Sequence, residues 1–443
     1  MGLTGLDIFK QLPKTNTGDC GFPTCLAFAM AMAAGKASLD KCPHVTEEAK
    51  ETLGAAAAPP IKLVKVGTGD TVVELGDETE LFRHDKRFYH PTAIAVAIKD
   101  TEDVAAKVAN FNELEFDRVG LHYVTDMVAL TNASGDAAKF KAAAEAVVAG
   151  TKKPFILISE DVAALEAAAS AVADSKPLLY AATNDNYEAM TALAQKYSCP
   201  LAVKGNGLAD LSELVEKITK LGYKDLVLDS GNRETSQVLA DLTQIRRSAI
   251  RKRFRPFGYP TMAFTTKEDA MEEIVQAGVY LSKYAGIVVL KADKKENLLP
   301  LESWRQNLFT DPQKPIQVEP KAVAIGDVTP DSPVYITTNF SLTYYIVEGE
   351  VEGSKVPSYI VPVNTDGISV LTAWAAGKLT GESIAKALQI NDMESKVNHK
   401  TLVLPGYVAV LSGSTEEATG WNIKVGPREA SGITKFAKEN FAK

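Results

Sequence analysis

From about Thr92 to Leu299 the chain repeats one unit, a short apolar run followed by a turn and a helix, and that repeat restricts the fold more than any other feature. The runs are Ala93 to Ile98, Arg118 to Val124, Pro154 to Ser159, Pro177 to Ala182, Pro200 to Lys204, Asp225 to Asp229, Pro260 to Phe264 and Ile287 to Leu290. Helices are expected over Asp161 to Asp174, Tyr187 to Tyr197, Leu208 to Leu221 and Glu268 to Tyr284. Strands that do not alternate apolar with polar residues are buried on both faces, as a parallel sheet covered by helices requires. Eight such runs predict an α/β fold with a closed TIM-like (β/α)8 barrel over residues 92–311. A doubly wound open sheet is the alternative.

Chemistry in such barrels sits at the C-terminal ends of the strands. The sequence offers Asp126, Ser159, Glu160, Asn184, Asp185, Asn186, Lys204, Asn206, Asp229, Asn232, Thr265 and Thr266 there. Asp and Asn at these positions serve equally as helix N-caps. No histidine occurs between His122 and His399, and no metal-ligand spacing appears, so the barrel reads as a scaffold or subunit interface.

Ahead of the barrel, Cys20, Cys25 and Cys42 gather three of the four cysteines into the stretch Leu12 to Pro43, while Cys199 lies far away. Glycines and prolines around them bend the backbone so that several sulfurs can face one point, which is how a metal or cluster site is built. Buried apolar cysteines are the plainer alternative. A disulfide framework does not suit a long chain with so few cysteines. An Ala-rich helix after Cys25, stopped by Gly35, is expected to hold Cys25 against the loop bearing Cys20. Residues 1–58 form this module, which is small enough to lean on its cofactor for stability. Residues 59–91 read as a linker with a hairpin around Gly67 to Asp70, entered from Gly54 to Pro60.

A second linker, residues 312–325, is marked by Pro312, Pro315 and Pro320. The two linkers suggest that the outer modules swing relative to the barrel. Residues 326–443 then alternate strands (Pro333 to Thr338, Tyr359 to Asn364, Thr401 to Leu404, Asn422 to Val425) with helices (Ser341 to Glu348, Ile368 to Ala376, Glu382 to Ile390 and one at the end). This predicts a doubly wound, Rossmann-like open sheet, whose strand ends form a ligand crevice. The residues there, among them Thr337, Thr338, Asn339, Thr343, Thr365, Gly367, Ser369, Thr372, Gly406, Gly426, Ser431 and Gly432, are small or carry a hydroxyl. Such a rim lets backbone N–H groups and hydroxyls approach a large flat or phosphate-bearing ligand. There is no GxGxxG, which weakens a nicotinamide or flavin reading.

At 443 residues the chain exceeds one compact core, in keeping with these modules. The net charge of -8 argues against nucleic-acid binding, which needs a basic face. The most basic stretch, Arg246 to Arg255, is expected to be the solvated end of a helix. No run is long enough for a membrane span, and Gly2 to Lys14 lacks the regions of a signal peptide, so a cytoplasmic location is expected.

The runs Leu3-Thr4-Gly5-Leu6-Asp7-Ile8, Leu12-Pro13-Lys14-Thr15-Asn16, Cys20-Gly21-x-Pro23-Thr24-Cys25-Leu26-Ala27-Phe28-Ala29 and Lys41-Cys42-Pro43 closely resemble the corrinoid iron-sulfur protein large (gamma) subunit family. That family belongs to the carbon monoxide dehydrogenase/acetyl-CoA synthase pathway, and the likeness runs through the whole chain to Lys424-Val425-Gly426-Pro427-Arg428-Glu429-Ala430-Ser431-Gly432. The resemblance implies two cofactors, a base-off corrinoid (cobamide) and a 4Fe-4S cluster. It implies a methyl carrier taking part in methyltransferase reactions of carbon fixation. The methyl group would come from methyltetrahydrofolate through a methyltransferase, ride on cobalt, and pass to acetyl-CoA synthase, while the cluster returns Co(II) to Co(I). It also implies a heterodimer with a small subunit, a reductive activator as further partner, and neither nucleic acid nor membrane.

Under this resemblance Ser369, Val370, Leu371 and Thr372 are the candidates for the corrin contact. Thr338, Thr343 and Ser431 would hold the ring edge or the nucleotide tail, with Gly406, Gly426 and Gly432 completing the rim. No DxHxxG motif occurs and His399 precedes a strand, so a cobalt without a histidine ligand is expected. The metal site would comprise Thr17, Cys20, Cys25 and Cys42, with Thr17 where the family has its first cysteine. A threonine hydroxyl is a poor iron ligand, because its oxygen is hard and keeps its proton. Three outcomes stay open: a cluster with one non-cysteine ligand, a 3Fe-4S cluster, or a damaged site. Two other functions also stand: a pterin-dependent barrel methyltransferase with an accessory redox module, and a non-enzymatic metal-stabilised interaction subunit.

Overall fold

The structure, a computed structural model, describes residues 5–33, 37, 39–46, 49, 59–85, 87–118, 121–311 and 314–442. Gly35, Gly54 to Ala58 and Pro312, on which the expected helix stop and parts of both linkers rested, lie outside the described residues. The chain forms two compact units, one of residues 1–114 and 125–309, the other of residues 115–124 and 310–443.

In the first unit, β1 (Val64–Val66) and β2 (Val73–Leu75) pair as an antiparallel hairpin. Then come β3 (Ala93–Lys99) and β6 (Met127–Thr131); the hairpin of β4 (Glu115–Arg118) and β5 (Leu121–Val124), between them in the chain, belongs to the second unit. β7 (Phe155–Ile158), β8 (Leu178–Ala182), β9 (Leu201–Lys204), β10 (Leu226–Asp229), β11 (Met262–Phe264) and β12 (Ile287–Leu290) follow. Eight parallel strands run in the order β10-β9-β8-β7-β6-β3-β12-β11, and a bridge between Leu228 and Thr261 closes the ring. The TIM-like barrel is therefore present, but its second strand is β6 and not Arg118 to Val124.

The reason for that difference is local. Leu121–Val124 is only partly buried and carries the exposed His122, whose ring meets Asp117 at 2.8 Å across the hairpin. Met127 to Leu130 are buried without interruption, as a strand covered on both faces must be. Val119 and Gly120, at the hairpin tip, lie outside the described residues.

Alternation along the barrel strands sorts the core in two. Ala93, Ala95, Met127, Ala129, Ile156, Leu178, Ala202 and Val227 fill the interior together with Val64, Val66 and Leu75 of the β1–β2 hairpin. Ile94, Val96, Val128, Leu130, Leu157 and Leu179 face outward onto the helices. The hairpin closes the end where the strands begin: Gly67 N donates to Lys176 O at 3.0 Å, and the Thr71 hydroxyl donates to Lys152 O at 2.7 Å.

Arg246, expected among solvated residues, is instead buried on the helix Thr235–Lys252. It follows Ile245 and lies one turn past Leu242, both on the buried face of that helix, so it points into the packing rather than away from it. Its guanidinium meets the buried Glu78 carboxylate at 3.1 Å and lies between the rings of Phe88 and Tyr284, 5.1 and 5.0 Å from their centroids. Glu78 also accepts the backbone N–H groups of Tyr89 and His90, at 2.8 and 3.0 Å.

The second unit carries β13 (Val323–Ile325), β14 (Val334–Thr338), β15 (Ser358–Val363), β16 (Thr401–Leu404) and β17 (Asn422–Val425) in the order β13-β15-β14-β16-β17. β13 is antiparallel and the other four strands are parallel, as a doubly wound sheet with one added edge strand. The chain moves from β14 to β15 on one side and then crosses to β16 on the other, so the switch point lies between β14 and β16. Among the described residues no helix is long and apolar enough to cross a membrane.

Arg246→Ala should lower the unfolding free energy by about 3–5 kcal/mol, because it leaves the Glu78 charge buried without its partner. Denaturant unfolding measures this, and the double variant Arg246→Met with Glu78→Gln should recover most of the loss.

Candidate functional site

Three regions could carry chemistry, and the barrel mouth is the first. Asp229 ends β10 almost fully buried, and both its oxygens are occupied: Tyr180 Oη donates at 2.7 Å, Gly231 N at 2.9 Å and the Arg233 guanidinium at 2.8 and 3.0 Å. Arg233 in turn covers the Phe264 ring, 4.7 Å from its centroid. Burial beside the Asp229 carboxylate pushes the Tyr180 phenol far above its ordinary range, so it stays a proton donor. The other barrel candidates are likewise engaged in local structure. Ser159 accepts from Asp161 N, Glu160 pairs with Lys204 at 2.6 Å, and Asn184 joins Asp210 and Lys217. Asn186 accepts from Thr183 N, and the backbone of Asn206 donates to Asp210. Asn232 meets Asp241, Thr265 meets Glu273 and Thr266 meets Gln276. Asp185 is exposed.

Asp126 stands at the opposite end of the barrel. Because β6 begins at Met127, Asp126 precedes its strand, where it accepts from Ile94 N at 2.8 Å and pairs with Arg305. Asp126, Asn184, Asp185 and Asp229 therefore do not converge, and the set a pterin-dependent barrel methyltransferase would need is not assembled.

The second region is the N-terminal module. Helices Gly5–Gln11 and Cys25–Ala33 pack around a small core of Ile8, Leu12, Phe28 and Ala29 that includes the buried Cys25 and Cys42, with the half-buried Cys20 against it. Gly18 and Gly21 take positive φ values of 82°, which only glycine adopts readily, and so turn the chain on either side of Cys20. Asn16 and Cys25 hold each other: Cys25 N donates to Asn16 Oδ1 at 2.8 Å, and Asn16 N donates to Cys25 Sγ at 3.4 Å. Thr17 is exposed, its hydroxyl accepting from Asp19 N at 3.5 Å. Asp19 pairs with His44 at 2.6 Å, and that contact with the Thr17 contact holds its carboxyl below the usual range. Among the described residues no three His, Cys, Asp or Glu side chains converge on a single-ion site. The donor set is three thiols on one core, one short of the four thiolates that hold the common clusters.

The third region lies at the switch point of the second unit. The β14–β15 ladder continues to Thr338 and Val363, but the β14–β16 ladder stops at Tyr335 and Val403. The two strands splay apart there, and a cavity of about 330 Å³ opens between them. Thr343, Ser369, Val370, Leu371 and Gly426 line it, as do Tyr335, Ile336, Thr337, Ile346, Val347, Tyr407, Arg428 and Glu429. Ile346, Leu371 and Tyr407 are 56, 45 and 45% exposed, so the lining keeps apolar surface in water that a core would have covered. The buried hydroxyls of Tyr335 and Thr337 have no hydrogen-bond partner among the described residues, and neither does that of Thr338 behind them.

Asn339, at the end of β14, fixes the loop that presents Ser369 to Leu371. Its buried Oδ1 accepts from Thr365 N, Thr365 Oγ1 and Gly367 N at 2.9, 3.1 and 3.1 Å. Thr372 does not line the cavity; its hydroxyl lies 3.2 Å from that of Ser369 on an exposed turn. Thr338, Gly406, Ser431 and Gly432 do not line it either. A Cβ on Gly406 would stand 2.6 Å from Gly426 O, so that glycine lets the loops after β16 and β17 cross. His399 sits at the start of β16, the other edge of the sheet, with Nε2 at 2.9 Å from Ser332 O, and no histidine lines the cavity. Tyr407 donates to Glu429 at 2.5 Å, while Arg428, the only cation in the lining, makes no hydrogen bond or ion pair among the described residues.

A profile of the CO dehydrogenase/acetyl-CoA synthase delta subunit family matches residues 63–437, and one described as "Putative Fe-S cluster" matches residues 12–44. The chain is 59% identical over 445 residues to the corrinoid/iron-sulfur protein large subunit of Moorella thermoacetica, covering 100% of both chains. It is 35% identical to the acetyl-CoA decarbonylase/synthase complex subunit gamma of Methanothermobacter thermautotrophicus, over 98% of each. The solved 7,8-dihydropteroate synthase of Vibrio fischeri aligns with 56% of this chain and 100% of its own, at 12% identity and a TM-score of 0.39, too distant a likeness to carry fold or function.

Thr337→Val should stabilise the ligand-free protein by about 1 kcal/mol, since it removes a buried hydroxyl that lacks a partner. Unfolding in denaturant, with and without bound ligand, measures the gain.

Proposed function

Because this chain belongs to the family of the corrinoid/iron-sulfur protein large subunit and the acetyl-CoA decarbonylase/synthase gamma subunit, we propose that it carries a methyl group on a corrinoid held at the open edge of the C-terminal sheet. The observation that carries the reading is the cavity at the β14–β16 switch point, where exposed apolar side chains and unpartnered hydroxyls meet. A bound corrinoid supplies a cobalt centre that, when reduced, takes a methyl group from one partner and yields it to another. Val370, Leu371, Ile346 and Tyr407 would pack on the macrocycle and exclude water from it. The Tyr335, Thr337 and Thr343 hydroxyls would bond its polar rim. No histidine lines the cavity and His399 is held at the far edge by Ser332, so this site would offer cobalt no imidazole. Arg428 suits the phosphodiester of a nucleotide tail.

A corrin is broader than a cavity of about 330 Å³, so this edge would cover part of the ligand and leave a face for partners. In this reading a small subunit completes the site, a methyltetrahydrofolate methyltransferase supplies the methyl group, and acetyl-CoA synthase receives it. The iron-sulfur module would return Co(II) to Co(I), with a reductive activator as a further partner, in the cytoplasm. Ser369, Gly426, Thr338, Thr372, Gly406, Ser431 and Gly432 keep their assignment to the rim as part of the proposal. The N-terminal module has three thiols, and the methyl-carrier reading does not depend on it.

The protein purified anaerobically with corrinoid should show visible bands that shift on reduction and on methylation; a flat visible spectrum overturns the reading. Leu371→Asp should weaken corrinoid binding at least about tenfold, through a charge set into an apolar contact. Arg428→Ala should weaken binding of a cobamide but not of cobinamide, which has no nucleotide phosphate, and absorbance titrations separate the two.

A further inference from the structure

The family profile of an iron-sulfur module spans residues 12–44, and within it the chain has three cysteines. Among the described residues near them, Thr17, Asp19 and His44 already have partners. Thr17 is exposed and accepts from Asp19 N, and its hydroxyl does not give up its proton to become a thiolate-like ligand. Asp19 and His44 face each other at 2.6 Å, both roughly half exposed. Cys199 is fully buried in the barrel core beside β9, where burial pushes its thiol up to about 11. It belongs to the packing of the barrel and is unable to reach the module without unfolding that core.

From this donor count we propose that the module binds its cluster through Cys20, Cys25 and Cys42 alone, with the fourth iron held by solvent or an exogenous ligand and exchangeable. The proposal rests on reading residues 12–44 as an iron-sulfur module. An iron without a protein thiolate is the one lost first. When a one-electron oxidant removes an electron, [4Fe-4S]2+ releases Fe2+ and becomes [3Fe-4S]+. A reductant that returns the electron, together with added Fe2+, restores the cubane. The three thiolates keep their bonds in both forms, so the module retains its fold through the exchange. Asp19 and His44 link the loop of Cys20 to the turn after Cys42 through a contact that is itself exposed to solvent.

The test is made on the full chain, anaerobically reconstituted with iron and sulfide, and compared with Thr17→Cys. Iron and sulfide content and low-temperature EPR are read before and after stoichiometric ferricyanide. The expected result is loss of one iron per cluster and a 3Fe-type EPR signal in the protein as it is, reversed by dithionite with Fe2+, and no such change in Thr17→Cys. Asp19→Ala and His44→Ala should convert in the same way, since neither holds the iron. A cluster that keeps its full iron through oxidation in the unaltered protein overturns the inference, and so does loss of that resistance in Asp19→Ala or His44→Ala, which would make either residue the fourth ligand. A cluster in Thr17→Cys but none in the unaltered protein also overturns it. Iron and sulfide absent from both proteins would overturn the iron-sulfur reading itself. Should Thr17→Cys fail to fold, the iron count and EPR of the unaltered protein and the Asp19 and His44 variants decide the question alone.

Discussion

Parallel strands all end at one edge, and the helices that follow them begin there with unpaired N–H groups, so an α/β unit has a single edge at which ligands can be received. Both units of this chain obey that polarity, and they use the edge in opposite ways. In the barrel the candidate side chains at that edge are engaged with one another. Asp103, Asp136, Asp161 and Asp269 cap the helices that leave the strands, and Asp229, Tyr180, Arg233 and Phe264 interlock over the interior. The other end is stopped by the β1–β2 hairpin, whose Val64, Val66 and Leu75 share the interior core. In the C-terminal sheet the ladder between β14 and β16 stops short, and what it exposes is apolar surface and hydroxyls without partners.

Much of this was legible because burial on both faces removes alternation from a strand, and seven of the eight barrel strands announce themselves in that way. The eighth was misread for a physical reason. Leu121 to Val124 is apolar enough to pass for a core strand, yet Asp117, Arg118 and His122 beside it belong to an antiparallel hairpin whose charged face looks outward. That slip carried Asp126 to the wrong end of the barrel. In the second unit, small and hydroxylated residues where strands hand over to helices pointed to Thr343, Ser369 and Gly426, and the family resemblance to Val370 and Leu371; all five line the cavity. Tyr335, Ile346, Tyr407 and Arg428 were missed because their position depends on how β14 and β16 splay, which no local pattern encodes. Leu342 and Ile346 did leave a trace: apolar residues one turn apart, on a helix whose core contacts are made by Tyr344 and Val351.

The N-terminal module poses a different problem of stability. Its core among the described residues is a small group of side chains around Ile8, Leu12, Phe28 and Ala29 that includes Cys25 and Cys42, so a cluster bound there would contribute folding energy directly. With three thiols that contribution would be smaller than with four, and the loop around Cys20 would then be held by other means. The protein supplies them locally. Asn16 and Cys25 exchange two hydrogen bonds across the loop, Gly18 and Gly21 turn it, and the Asp19–His44 pair joins it to the segment after Cys42. The pair is surface-exposed and of modest worth by itself, but the backbone bonds to Asn16 are partly sheltered and set the direction of the Cys25 sulfur. A loop shaped by its own hydrogen bonds fixes the direction of Cys25 and the turns on either side of Cys20 without drawing on a bound cluster.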